Sequence, residues 1–389
     1  MSARAGSCDD PRDPIAAVTH RDPYPYYEEL VATRPFHRDD ALGLWVACSA
    51  AAVTDALANP ACLVRPPAEP VPGPLVGSPA GAIFARLVRM NEGARHSAMK
   101  PAVSAATARI EASVGAQAAR WAERLADELD PASGPARLNE FVSSLSAYVI
   151  ASSLGVSPHE LPRTAALARD FAQGIAPAAT GERLTRGADA AHQLWTACDA
   201  LLEAPSTRAS ATALADLDRA IGEREDAVAN GIGFLSQAYE ATAGLIGNTL
   251  VALGRHLPRG ASGAGDDLGS FIREVVRCDP PVHNTRRFVA RNTAVAGREL
   301  RAGDAVLVVL AAANRDPAAN PGPSRFDPLR SSRRSFTFGS GPHACPGEAI
   351  ATALAEAGVR QLLARGVHPA ELVGSVTYRP SANTRVPIF

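Results

Sequence analysis

Between about Gly81 and Arg277 the chain is built of Ala- and Leu-rich runs in which apolar residues return every three or four positions, interrupted at "DPASGPAR", "APAAT" and "APSTRAS". That is the period of helices that bury one face, so the stretch is predicted as a helical body. Beyond Pro280 the pattern shortens. "TRRFVARNTAVAGRELRAGDAVLVVLAAANRD" alternates β-prone runs with glycine turns, and the chain closes on "SVTYRPSANTRVPIF", which reads as a hairpin. Near the start, "DPYPYYEELVATRPFHR" becomes a short helix, "LGLWVACS" a strand, and "AAAVTDALANP" a helix closed by Asn59 and Pro60. Residues 64 to 80 are dense in proline and glycine and must form a long loop. The expected fold is mainly α with small peripheral β-sheets, in one domain over 1–389. Its α-rich body spans about 81–277 and 346–366, and its β-rich portions about 36–50, 283–310 and 374–389.

One predicted helix, 231 to 254, carries a single charge, Glu240. As a membrane span it would leave Gln237, Glu240, Thr242 and Asn248 seeking partners in lipid, so a helix through the centre of a globular core is the better reading. Gln237, Glu240, Ala241, Gly244 and Asn248 follow one another at three- and four-residue steps. This small and polar stripe suits a bound flat group, a buried water channel or close helix packing.

A formal net charge of -1 offers no electrostatic footprint for nucleic acid or an anionic membrane. The first residues, "MSARAGSCDDPRDPIAAV", lack the apolar core of a signal peptide, so a cytoplasmic protein is expected. Six cysteines, at 8, 48, 62, 198, 278 and 345, show no paired spacing, which argues against a disulfide framework and a CxxC zinc site. Lys100 is the only lysine in an arginine-rich chain.

Cys345 stands apart in "SFTFGSGPHACPGEAIA". Zinc would need about four ligands, and "HAC" offers at most two. A nucleophile would need a base and an oxyanion site that nothing nearby assigns. A metal held by one thiolate accounts for more. Glycines permit a tight turn, and Pro346, at the expected first helical position, with Gly347 would leave amide N–H groups pointing back at the sulfur.

The run Phe338-Gly339-x-Gly341-x-His343-x-Cys345-x-Gly347 resembles the haem-ligand loop of the cytochrome P450 family. The resemblance implies the cytochrome P450 fold, haem b (iron protoporphyrin IX) as cofactor, Cys345 as axial iron ligand and Phe338 as a shield for its sulfur. It implies that Glu274 and Arg277, the Glu-x-x-Arg of "EVVR", form a buried ion pair locked to the later "NRDP … SRFDPLR" segment, and that His96, Lys100, Arg286 and His343 hold the haem propionates. The substrate pocket would be lined by the proline-rich loop, the central helix, Val282, His283 and Asn284, and the final turn with Ala382 and Asn383. Those polar residues suggest a substrate bearing an amide or hydroxyl.

The sequence departs from the family where an acid and an alcohol on the central helix deliver protons during dioxygen activation. Here Glu240 is followed by Ala241, and Gln237 replaces the usual small residue. The first reading is a monooxygenase acting on a secondary metabolite, in which the substrate, or a water held by Gln237 or Thr242, completes the relay. Radical coupling or desaturation without oxygen insertion is a second, and a haem-thiolate isomerase or haem-containing binding protein a third. The resemblance also implies electrons from a separate ferredoxin and ferredoxin reductase, with Arg330, Arg333 and Arg334 as a candidate docking face. No nucleic acid or membrane partner is expected.

Overall fold

The computed structural model of the chain describes residues 10–177, 179–203, 212–256 and 267–389. In chain order its helices are α1 (Tyr24–Thr33), α2 (Ala50–Ala58), α3 (Pro79–Arg86), α4 (Gly93–Leu129), α5 (Pro135–Leu154), α6 (Leu161–Gly174), α7 (Glu182–Glu203), α8 (Ala213–Ile221), α9 (Arg224–His256), α10 (Leu268–Cys278), α11 (Leu310–Ala313), α12 (Glu348–Ala364) and α13 (Pro369–Leu372). The strands are β1 (Phe36–Asp39), β2 (Leu44–Ala47), β3 (Cys62–Leu63), β4 (Thr285–Val289), β5 (Thr293–Val295), β6 (Arg298–Leu300), β7 (Ala305–Val308), β8 (Thr377–Tyr378) and β9 (Pro387–Ile388). The fold is mainly helical with small sheets.

Helix starts follow local chemistry. Ser49 caps α2 by accepting from the Ala52 amide at 3.2 Å, Ser78 caps α3 from Gly81 at 3.1 Å, and Asp267 caps α10 from Ser270 at 3.0 Å. Proline at the first position of α3 and α5 loses only an amide that a helix start leaves unpaired.

The main core lies where α4, α5, α9 and α12 meet, around Trp121, Phe141, Leu145, Leu250 and Leu354, each no more than 3 % exposed. The central helix is longer than predicted, starting at Arg224, because its charged first turn carries Glu225 and Asp226, which suit a helix N-terminus. From Thr242 to Leu253 every residue is buried. Among the described residues no helix is long and apolar enough to cross a membrane.

A five-stranded sheet, ordered β1-β2-β7-β4-β3, packs beside this body, with two-stranded sheets β5-β6 and β8-β9. β4 runs antiparallel to β7 with Arg287 opposite Val306, so Arg287 and Val289 share the buried face while Arg286 is exposed.

Candidate active site

Cys345 sits on a loop bent twice by glycine. Gly339 and Gly341 have φ of +70° and +72°, a region other residues avoid, and a Cβ at Gly341 would also come within 3.3 Å of the Leu57 carbonyl. The turn closes through hydrogen bonds from the Gly339 amide to Phe336 O at 2.8 Å and from the Cys345 amide to Phe338 O at 2.9 Å. Phe338 packs against the main core. Helix α12 begins at Glu348 with Gly347 as its N-cap, so Pro346 precedes the helix and does not open it. The Gly347 amide donates to Cys345 Sγ at 3.4 Å.

Burial pushes the Cys345 thiol up, while the Gly347 amide, Lys100 and Arg89 pull it down. Burial wins. The local donors therefore offset burial only in part, and a bound metal would favour the thiolate further. Among the described residues Cys345 is the exposed thiol; Cys48, Cys62, Cys198 and Cys278 are buried and free, with pKa values pushed up to about 12, 11, 12 and 12. Cys8 lies outside the described residues.

Basic side chains gather on the same side. Lys100 of α4 donates to Ala344 O at 2.9 Å, tying its helix to the cysteine loop. One turn earlier, His96 lies against His343 with ring centroids 4.4 Å apart. His343 Nε2 meets Glu92 Oε2 at 3.0 Å, and Glu92 Oε1 accepts from the Val64 amide at 2.8 Å. Burial opposes ionisation of Glu92, yet these contacts hold its pKa below the ordinary value.

Arg286, expected here, points outward. The adjacent Arg287 is the one turned in, 5 % exposed, its pKa lowered by burial and sustained by Glu92. The cause is the two-residue alternation of a strand, in which a slip of one residue exchanges faces. The shared parity of Arg287 with Val289 was the available signal. Arg89, which the sequence reading passed over, also comes within electrostatic reach of Cys345.

Several polar atoms here are unpartnered. Arg89 Nε, His343 Nδ1 and Ser340 Oγ are buried without a hydrogen-bond partner. Basic side chains, buried polar atoms without partners and an exposed thiol at a glycine-bent turn fit a metalloporphyrin with its pair of carboxylates. Among the described residues no group of three His, Cys, Asp or Glu side chains could hold a metal ion.

The stripe on α9 divides. At Gly244 a Cβ would lie 2.7 Å from Arg385 O and 2.8 Å from Pro281 Cβ, and Asn248 donates to Asp279 O at 2.9 Å, so this half serves close packing. Gln237 is exposed and Ala238 and Ala241 partly so, forming the open half. The Gln237 amide donates back to Gly233 O at 2.8 Å, and Thr242 is buried at 2 %, away from that open face. Glu240 instead has partners in the last turn of the chain: Thr384 Oγ1 donates to its Oε2 at 3.0 Å, Ser381 and Thr384 hydroxyls lie 2.8 Å apart, and Arg379 approaches Oε1 at 3.8 Å.

Glu274 and Arg277 are both fully buried and joined at 2.6 and 3.1 Å. Glu274 also accepts from Arg333 at 2.9 Å and from the Asp327 amide at 3.0 Å, while Arg277 donates to Pro323 O and Arg325 O at 2.8 and 3.0 Å. These bonds lock α10 to the segment before the cysteine loop. Arg330 donates to Pro321 O, Gly322 O and Arg325 O, and Arg334 to Thr54 Oγ1. The expected docking face of three free arginines is corrected: Arg330 and Arg333 are bound internally, and Arg334 alone stays exposed.

His283 and Asn284 also correct the sequence reading. His283 is fully buried, its Nδ1 2.9 Å from Tyr27 Oη, and burial drives its pKa down to about 3. Asn284, 3 % exposed, donates to Ala382 O at 2.9 Å, and the His283 amide to Asn383 O at 2.9 Å. Both residues clamp the final turn from beneath. Val282 bridges Thr384, and Val282, Ala382 and Asn383 are partly exposed. Nearby, Arg385 is buried under Tyr378, pairs with Asp279 at 2.9 Å, and donates to Val18 O and His20 O; Tyr24 donates to the same Asp279.

A family model described as Cytochrome P450 matches residues 268–365, the span from α10 through the cysteine loop and α12. The chain is 43% identical over 95 residues to the putative cytochrome P450 140 of Mycobacterium tuberculosis (strain ATCC 25618 / H37Rv), covering 24% of this chain and 22% of that protein. It thus aligns with about a fifth of that relative's length. It is 28% identical over 275 residues to the putative cytochrome P450 133B2 of Xylella fastidiosa (strain 9a5c), covering 68% of each. Among solved structures it is similar to P450BioI in complex with hexadec-9Z-enoic acid ligated acyl carrier protein, with a TM-score of 0.78 at 23% identity, covering 94% of this chain and 97% of that one.

Proposed function

Because this chain belongs to the cytochrome P450 family, whose members bind haem b through a cysteine thiolate, we propose that it is a haem-thiolate monooxygenase that oxidises a small organic molecule. The observation that carries the reading is the cysteine turn: an exposed thiol on a glycine-bent loop, with the basic side chains of His96, Lys100 and His343 beside that loop. Cys345 would ligate the iron, with His96, Lys100, Arg287 and His343 toward the propionates. When bound, the haem supplies activation of dioxygen with two electrons, which separate redox proteins, a ferredoxin and its reductase, would deliver.

The chain's own work is to hold the cofactor, keep the pocket shaped and move protons. Ala241 has no hydroxyl, whereas Glu240 already accepts one from Thr384. A proton at Glu240 would be replaced through Thr384 and Ser381, whose hydroxyls are in hydrogen-bond contact. This relay draws its alcohol from the final turn instead of the central helix. The position supports oxygen insertion over the isomerase and binding-protein readings, which need no proton supply.

The spectrum of the reduced carbon monoxide complex tests the reading. A strongly red-shifted Soret band in wild type, absent in Cys345→Ala, is expected. Folded, haem-loaded wild type without that band would refute thiolate ligation.

A further inference from the structure

Arg89 lies in the short 3-10 turn Val88–Met90 that leads into α4. Its backbone is clamped on both sides. Asn230 of α9 accepts from the Val88 amide at 2.9 Å and donates to Arg86 O at 3.1 Å, while Asn91 donates to Ala85 O at 3.0 Å and Leu87 O at 2.7 Å. The turn is thereby fixed to the central helix, and Arg89 is aimed by a rigid support.

Its neighbours along the chain have protein carboxylates: Arg86 pairs with Glu225 and Asp226, and Arg95 with Asp226. Arg89 Nε has no partner among the described residues, and burial draws the guanidinium's pKa down to about 10. Glu92, nearby in the chain, is committed to His343 and the Val64 amide. A guanidinium whose Nε is shut off from water without a partner is costly unless an anion completes it, and its planar fork matches a carboxylate. His96, Lys100, Arg287 and His343 are four other candidates for a porphyrin's pair of carboxylates, which leaves Arg89 available for a different anion.

We propose that Arg89 is a carboxylate-binding residue of this site and that a free acid of the substrate is the anion it takes, a porphyrin carboxylate being the other source of the same chemistry. The proposal rests on the haem-thiolate reading and narrows it to a carboxylic acid substrate. It also replaces the polar recognition that His283 and Asn284 were expected to supply.

The test uses haem-loaded wild type, Arg89→Leu and Arg89→Gln, each first checked for fold by circular dichroism. A wild type lacking the red-shifted carbon monoxide band fails the haem-thiolate reading before the titration begins, which keeps the two failures apart. Straight-chain carboxylates from butanoate to dodecanoate are titrated against the matching primary alcohols, following the Soret shift, and haem release is timed by transfer to apomyoglobin. The expected result is a wild-type preference for the acids that falls roughly 10- to 100-fold in both variants, with haem release unchanged. Faster haem release with an unaltered ligand preference upholds the carboxylate role and assigns it to the porphyrin. Folded variants that change neither quantity overturn the proposal.

Discussion

Glu274→Gln removes one charge from the most buried ionic cluster and leaves its shape. In the wild type one carboxylate serves Arg277, Arg333 and the Asp327 amide, and both Glu274 and Arg277 are shielded from water. Burial pushes the Glu274 carboxyl up, but these three partners outweigh it and hold the pKa at about 2, against an ordinary 4.5. A depression of that size corresponds to about 3 kcal/mol of stability, in line with the ~3–5 kcal/mol for breaking a buried pair on one side. Taking the usual unfolding entropy per residue, a domain of this length loses roughly 4–6 °C of Tm.

The sign gives a second handle. Because the folded pKa is depressed, the contribution is complete above about pH 4.5 and is lost as pH falls toward 2. The gap between wild type and Glu274→Gln in urea denaturation, followed by far-UV circular dichroism, is therefore expected to shrink by about 1.4 kcal/mol between pH 7 and pH 3.5. A gap under about 1 kcal/mol at pH 7, or one that ignores pH, would refute the reasoning, since either result means the charge is not held by its partners.

Two further outcomes follow from placement. Arg287→Leu is expected to speed haem transfer to apomyoglobin by about tenfold, while Arg286→Leu leaves it unchanged; equal effects would mean that the strand's inward face does not decide which arginine reaches the cofactor. Thr384→Val is expected to cut product per reductant consumed by about tenfold, with the loss appearing as peroxide, and Thr384→Ser to keep the coupling. A valine variant that couples as well as wild type would remove Thr384 from the proton path.

Features written in local spacing were legible in the sequence: the cysteine loop, the Glu274 and Arg277 pair one helical turn apart, and the long helices with their caps. Glu274 and Arg277 could be joined on paper because i and i+3 share a helix face. What escaped depends on contacts between distant segments or on parity. Two adjacent arginines on β4 are chemically alike, and only the pairing of β4 with β7 decides that Arg287 enters. His283 looked like a pocket residue because nothing in its own neighbourhood names Tyr27, 256 positions earlier, as its partner. Thr384 lies 144 positions from Glu240, so the hydroxyl that bonds this carboxylate could not be read from the Glu240-Ala241 step. Arg330 and Arg333 resembled an exposed basic run, yet the chain folds back so that Glu274 and backbone carbonyls take them up.

The charges of this molecule fall into two kinds, and the difference locates where binding adds stability. Asp279, Arg385, Glu274 and Arg277 are buried with multiple partners and fasten the final turn and the segment before the cysteine loop to the helical body. Their desolvation is answered within the protein. Around Cys345 it is not: Arg89 Nε and His343 Nδ1 are buried without partners. A fully paired cluster gains nothing further from a ligand, whereas an unpaired one releases its desolvation cost when anion and metal arrive. Ligand binding is therefore coupled to the stability of the cysteine loop and, where a carboxylate is bound, of the turn at Val88–Met90, more than to that of the Glu274 or Asp279 clusters. The clusters that hold the scaffold are paired within the protein, and those of the site are left for a ligand to complete.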